Sequence, residues 1–310
     1  MSDAQLFRLP SRVVIEVGGA DRLRWLDGMI SADVASLAVG EGAWGLLLTR
    51  QGRVVADLHV LSRADCLWLE LEGSVAKTVE ERLAGYVIAD DVTLAERDAS
   101  RLGLEGTGAA SVLEAAGGAP VALAIDAWCE LGIAGETVTV AAYGFTGQPA
   151  FQLFAPRAAE ADVAAALLEA GAVETGAETL ECLRVEAGLP RVGAELDESV
   201  LPAEARLEAA ISETKGCYTG QEVVTRMRTR GRVAHLLVGL RLEAGPLPER
   251  GAEIIRDGAR IGQLTSAVLS PAEGAIGLGF VKHDAAAAGT EVRVGGANAR
   301  IVELPMRADT

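Results

Sequence analysis

The chain has 310 residues, half of them hydrophobic but only 4% aromatic, and carries 44 acidic residues against 28 basic ones for a net charge of −16. That length accommodates about two domains with a sizeable core. The acidity argues against general nucleic-acid binding, whose affinity comes from neutralising phosphates, and no apolar run approaches the roughly 18 residues that suggest a membrane span.

The opening Met1-Ser2-Asp3-Ala4-Gln5 lacks the basic and apolar stretches of a secretion signal, so a cytoplasmic protein without a membrane partner is expected. Cys66, Cys129, Cys182 and Cys217 are scattered, with no CxxC and no close Cys/His set. This spacing speaks against an autonomous metal site, and a reducing compartment against disulfides.

In chain order, residues 12–17 read as a strand and 21–30 as a helix with an apolar stripe. Residues 44–49 and 54–61 read as a hairpin around Arg50-Gln51-Gly52-Arg53. Asp57 interrupts the second strand, and a carboxylate there must face water, find a partner or do chemistry. A strand at 66–71 and a helix at 74–83 follow. Strands are then expected at 92–94, 101–104, 121–125 and 138–142, with a short Ala-rich helix near 109–116. Gly144-Phe145-Thr146-Gly147 reads as a turn, 151–154 as a strand, and 158–170 and 178–187 as helices, the latter stopped by Gly188 and Pro190.

The most concentrated chemistry lies in Lys215-Gly216-Cys217-Tyr218-Thr219-Gly220-Gln221-Glu222. Lys215, two residues before Cys217, can bring its charge near the sulfur, and a nearby ammonium favours thiolate over thiol. Thr219 and Glu222 fit a capping box for a helix running from about Gly220 to Arg230. Arg226, Arg228, Arg230 and Arg232 crowd this region into a positive patch. Short strands separated by turn residues then recur at 235–242, 253–255, 260–269, 275–281, 291–294 and 300–304, the texture of a small sandwich or barrel. The expected domains are residues 1–233 and 234–310. His59, His235 and His283 form no metal set, and strand packing is their expected role. Neither a phosphate loop nor a dinucleotide fingerprint is present, and Gly103-Leu104-Glu105-Gly106 fits neither spacing.

The octet at 215–222 resembles the signature of the YgfZ family, the folate-binding branch of the glycine-cleavage T-protein superfamily linked to iron–sulfur protein maturation and tRNA modification. Val17–Gly28, Leu47–Leu58, Arg184–Arg191 with Glu195–Glu198, and Ile261–Ala267 with Ile276–Phe280 resemble further family blocks in order. The resemblance implies an α+β fold, with two interleaved lobes followed by a small β-barrel around a central channel for tetrahydrofolate or a one-carbon derivative. It places Asp57 at or beside the superfamily's active-site Asp-Asp pair, with Ala56 as the preceding member. Glu186 falls in the block that supplies a carboxylate to the pterin, whose paired N–H donors a carboxylate accepts bidentately.

By the same resemblance Cys217, Lys215 and Asp57 are the reactive candidates, and Glu186, Asp57, Arg184, Tyr218, Gln221 and Phe145 the folate-contacting ones. Two departures stand out: Phe145 and Gln152 replace a phenol and an acidic residue of true aminomethyltransferases, and Cys217 stands where that branch usually has aspartate. A shared scaffold does not license a shared reaction. The leading expectation is therefore a folate-dependent accessory protein for iron–sulfur client or assembly proteins, with Cys217 as its working thiol. The thiol's role as one-carbon acceptor, redox group or transient iron ligand stays open. A one-carbon transferase is the alternative, and tRNA contact through Arg226–Arg232 a third and weaker reading.

Overall fold

The computed structural model describes residues 3–307, apart from the side chains of residues 228–230. The chain divides into two compact units. One comprises Met1–Leu48, Val55–Ala177 and Ala210–Thr219; the other comprises Thr49–Val54, Glu178–Ala209 and Gly220–Thr310.

The first unit runs β1 (Gln5–Arg8), β2 (Arg12–Gly18), α1 (Arg22–Asp27), β3 (Gly42–Leu48), β4 (Val54–Ser62), β5 (Leu67–Glu72), α2 (Ala76–Ala84), β6 (Thr93–Arg97) and β7 (Ala99–Glu105). It continues with α3 (Ala109–Gly117), β8 (Trp128–Ile133), β9 (Glu136–Ala141), β10 (Ala150–Pro156), α4 (Glu160–Glu169) and β11 (Val173–Glu174). The strands form two sheets, β3-β4-β5-β2-β6 and β11-β1-β7-β10-β9-β8. Side-chain alternation decides what each face does. On β4, Leu58 and Val60 enter a core with Ile15, Val17, Leu67, Leu69 and Leu71 of neighbouring strands and Val79 and Leu83 of α2. The intervening Asp57, His59 and Leu61 turn the other way, where Leu61 joins Val14, Trp68, Ala141, Tyr143 and Phe154 in a core drawn from both sheets. Helices α3 and α4 cover the far side of the second sheet through Val112, Leu113, Val163 and Leu167. Each such side chain contributes about 1.5–3 kcal/mol on burial.

The expected strand at 121–125 does not form. The edge of β9 is taken by β8, from Trp128↔Ala141 to Ile133↔Glu136. Without a ladder partner the apolar run stays irregular, and Ile125 is 87% exposed. The β3–β4 hairpin turns at Gly52, whose φ of 72° suits glycine and whose N–H donates to Thr49 O at 2.8 Å.

The second unit contains α5 (Ala177–Ala187), α6 (Gln221–Arg230), β12 (His235–Leu242), β13 (Glu253–Arg256), β14 (Ala259–Ser270), β15 (Gly274–Lys282), β16 (Glu291–Val294) and β17 (Ala297–Val302). Its six strands close into a barrel in the order β12-β15-β14-β13-β16-β17, filled by Val238, Leu240, Ile254, Leu264, Val281 and Ile301. Closure demands tight contact: a Cβ on Gly262 would lie 2.0 Å from Phe280 O. Val185 of α5 packs with Leu237, Ile276, Leu278 and Met306. The fold is thus α+β with a closed C-terminal barrel, as expected. Helix α6 departs in one detail. Its N-cap is Gly220 at φ 85°, with no side-chain capping bond, so the expected Thr219–Glu222 box is not made.

Candidate functional site

The octet is anchored at two points and free between them. The Lys215 ammonium, with 1% of its side chain exposed, lies 3.1 Å from Asp27 Oδ1. It donates also to the backbone oxygens of Asp27, Ile30 and Ala32. Burial lowers the Lys215 pKa, and the hydrogen bond and charge of Asp27 offset that in part. Asp27 in turn accepts the Val34 N–H at 2.9 Å and the Ala35 N–H at 3.2 Å, so one ion pair organises the whole chain reversal after α1. Tyr218 is buried, with its ring centroid 5.4 Å from Lys215 Nζ, and the Thr219 N–H donates to Gly28 O at 3.2 Å. Gly216 and Cys217 are exposed between these anchors, and Cys217 is a free thiol.

This corrects the expected role of Lys215. Its positive charge is committed to acceptors at 27–32, nearly two hundred residues earlier in sequence, rather than to the sulfur two residues away. Gln221 is half-buried at the start of α6. Arg226 and Arg232 are exposed, and the expected contacts of Arg228 and Arg230 lie outside the described residues.

Asp57 stands on the inter-sheet face of β4, half-buried, with no hydrogen-bond or ion-pair partner among the described residues. The Arg12 guanidinium is near enough to interact with its charge. Beside it, the core shared by the sheets becomes polar. Glu70, fully buried, takes both ends of Arg12 and also Arg101 Nη2 at 2.9 Å. Burial alone would raise the Glu70 pKa, but the two guanidiniums outweigh it and hold the carboxyl at about 2. Burial pushes the Tyr143 phenol well up.

His59, directly across the β4–β5 ladder from Glu70, stacks on Tyr143 with centroids 3.7 Å apart and planes 10° apart. Its Nδ1 lies 3.3 Å from Asp126 Oδ1. Asp126 holds a φ of 64°, a backbone region costly for a residue other than glycine. Trp44 lies parallel to His59 at 6.1 Å, and its buried indole N–H has no partner among the described residues. On this face half-buried Asp57 is the acceptor open to a ligand N–H, whereas the Trp44 N–H is enclosed.

The turn at 144–147 belongs to the same unit. The Phe145 ring sits under the Arg12 guanidinium at 4.3 Å. Its N–H donates to Glu105 Oε1 at 2.9 Å, Thr146 Oγ1 donates to Glu105 Oε2, and Gln152 Nε2 lies 3.5 Å from Oε1. Burial raises the Glu105 pKa despite these bonds. A carboxylate therefore does stand behind this turn. It comes from the end of β7, beside Gln152 on β10, and in the sequence only its flanking glycines set it apart.

In the barrel unit, all five N–H donors of Arg184 are used. They serve Glu181 (two bonds), Leu189 O, Glu195 Oε2 at 2.9 Å and Ser266 Oγ at 2.8 Å. None is left for a ligand, so Arg184 is a structural brace of α5 rather than the expected folate contact. Glu186 is buried and accepts from Ser270 Oγ and Arg307 Nη2, with the Cys182 thiol 3.5 Å away. Two carboxylate oxygens offer about four acceptor positions, so a bidentate ligand would compete with Arg307 or Cys182.

The comparisons with known proteins agree with this architecture. Residues 2–215 match the GCVT N-terminal domain and residues 236–306 the glycine cleavage T-protein C-terminal barrel domain. The chain belongs to the glycine-cleavage T-protein family. It is 30% identical over 287 residues to an aminomethyltransferase of Exiguobacterium sibiricum, covering 90% of this chain and 79% of that one. A chloroplastic protein of Arabidopsis thaliana that carries a transferase name is 28% identical over 286 residues; the match covers 91% of this chain and 66% of that relative's length. The crystal structure of glycine cleavage system aminomethyltransferase T from Bartonella henselae shares the fold, with a TM-score of 0.88 at 24% identity over 99% of this chain and 87% of that one. No helix among the described residues is long and apolar enough to cross a membrane.

Proposed function

We propose that the chain is a tetrahydrofolate-binding accessory protein of the YgfZ branch, supporting assembly or repair of iron–sulfur enzymes, tRNA-modifying ones included, with Cys217 as its working thiol. The observation that carries this reading is the mounting of Cys217: a free, exposed thiol between two buried anchors, Lys215 and Tyr218. A fixed backbone with a solvent-facing sulfur suits a group that must meet a partner. Cysteine-ligated clusters generally take four thiolates, so any iron the thiol touches needs further ligands from that partner.

Folate is the cofactor the family implies, and it would supply nitrogens able to carry a one-carbon unit. Two half-buried residues of the first unit fit such a ligand: Asp57 as acceptor, and Phe145, under the Arg12 guanidinium, as an aromatic face. In the barrel unit Glu186 is assigned to pterin recognition on the strength of the Arg184–Arg191 block. The test is complementation. Cys217→Ala should fold with wild-type melting behaviour yet fail to restore iron–sulfur enzyme activity in a deletion strain; full rescue by that variant overturns the proposal.

Transfer of an aminomethyl or other one-carbon group is the second reading, favoured by the free carboxylate of Asp57 and by relatives named aminomethyltransferase. Here Asp57 would orient or accept a proton from the folate nitrogen. Formation of methylene-tetrahydrofolate with an aminomethylated lipoyl carrier protein would establish this reading; its absence alongside successful complementation leaves the accessory role.

A further inference from the structure

The barrel unit has a concavity that none of these roles uses. It is about 420 Å³ in volume and lined by Arg232, Ala234, His235, Lys282, His283 and Asp284. Its position follows from how three elements end. Helix α6 closes at Gly231, whose φ of 78° gives a left-handed C-cap, and the chain turns at once toward β12. That strand begins at His235, the direct cross-strand partner of Lys282 at the end of β15. One step beyond, the His283 N–H donates to Ala234 O at 3.0 Å. Four nitrogen-bearing side chains are thus gathered at one end of a hydrogen-bonded strand pair.

The two cations there, Arg232 and Lys282, form no hydrogen bond or ion pair among the described residues. Elsewhere on the same barrel, Arg241 pairs with Glu273 and Arg300 with Glu291. Leaving two cations unpaired in one concavity is unexpected in a chain with 44 acidic residues against 28 basic ones. His235 is oriented by Glu204, which accepts its backbone N–H at 3.3 Å and lies 3.7 Å from its Nδ1. An imidazole keeps at least one N–H whatever its charge. Asp284 is the single carboxylate in the lining.

A guanidinium fork, an ammonium and two imidazoles are a donor set for phosphoryl oxygens. The volume falls within the roughly 300–1,000 Å³ of small-molecule sites. We propose that this pocket binds a small phosphate-bearing ligand, with phosphoryl oxygens on Arg232 and Lys282 and with His235 and His283 as further donors.

Calorimetric titration of the full chain with inorganic pyrophosphate tests this, with citrate as a carboxylate polyanion of comparable charge. The expected result is saturable binding of pyrophosphate, at least about fivefold tighter than citrate, and weakened at least about tenfold by Arg232→Glu with Lys282→Glu. Asp284→Asn should tighten it about threefold by removing the one carboxylate of the lining. No saturable binding, equal affinity for citrate, or unchanged affinity in the charge-reversed protein would each overturn the proposal. Should the double variant fail to fold, Asp284→Asn decides alone, and an affinity equal to that of the wild type rejects the site.

Discussion

The buried cluster around Glu70 gives the most exacting test of how the first unit is held together. Glu70→Gln keeps the volume of the side chain and removes its charge. Arg12 and Arg101 then face each other in the core without the carboxylate that both now bind. Breaking a buried pair in this way costs about 3–5 kcal/mol, because uncompensated charge remains. The pH dependence supplies an independent magnitude. An unfolded glutamate titrates near 4.5 and the folded carboxyl near 2, a gap worth about 3 kcal/mol. Because the folded value is the lower one, this stability is complete above the unfolded value and is lost as pH falls through 4.5 toward 2. Burial is total, so solvent screening does not discount it. Urea unfolding of both proteins, followed by circular dichroism at neutral pH and at about pH 3, reads the two effects. At about pH 3 the wild type should have lost roughly 2 kcal/mol more than Glu70→Gln. The same pH dependence in both proteins, or a cost under about 1 kcal/mol at neutral pH, would refute the reasoning.

Lys215→Met removes the clamp on residues 27–32 and should destabilise by about 2–4 kcal/mol in thermal or urea unfolding. Alkylation of Cys217 in the native variant should be as fast as in wild type or faster, whereas a tenfold slowing would restore the role of Lys215 as activator of the thiol. Asp57→Asn should weaken tetrahydrofolate binding by about 10–100-fold, the worth of one charged hydrogen bond, without lowering the melting temperature; equal affinity would remove Asp57 from the ligand. Arg307→Ala frees an oxygen of Glu186, so folate affinity should rise about threefold or more if Glu186 accepts from the pterin; an unchanged or weaker affinity assigns Glu186 to the barrel's internal bonding.

What the sequence reveals here is what repeats along the chain. The alternation of β4 separates Asp57 and His59 from Leu58 and Val60, and the turn residues between short apolar runs announce the barrel. What it hides is pairing at a distance. Glu70 finds Arg12 and Arg101 at separations of 58 and 31 residues, and neither arginine has a local feature that marks it as buried. Glu105 closes an ordinary strand and becomes part of a site only because β7 lies beside β10. Lys215 misleads for the opposite reason. Its nearest functional group in sequence is the Cys217 thiol, yet a buried ammonium needs several oxygens, and the loop after α1 supplies them.

The same contrast separates the two carboxylates that the resemblance put forward. Glu186 lies in a strong family block, yet most of its acceptor capacity is spent on Ser270, Arg307 and Cys182. Asp57 lies in an apolar strand with little around it in sequence, yet its oxygens have no partner among the described residues. The Arg12 charge lies near Asp57, while Arg12 itself is held by Glu70. A ligand donor at Asp57 meets no competing protein donor among the described residues, whereas a bidentate ligand at Glu186 must displace an existing bond. The anchors of Cys217 lie in the same compact unit as Asp57. Their roles can thus be separated by single substitutions there, Asp57 through folate affinity and Cys217 through complementation.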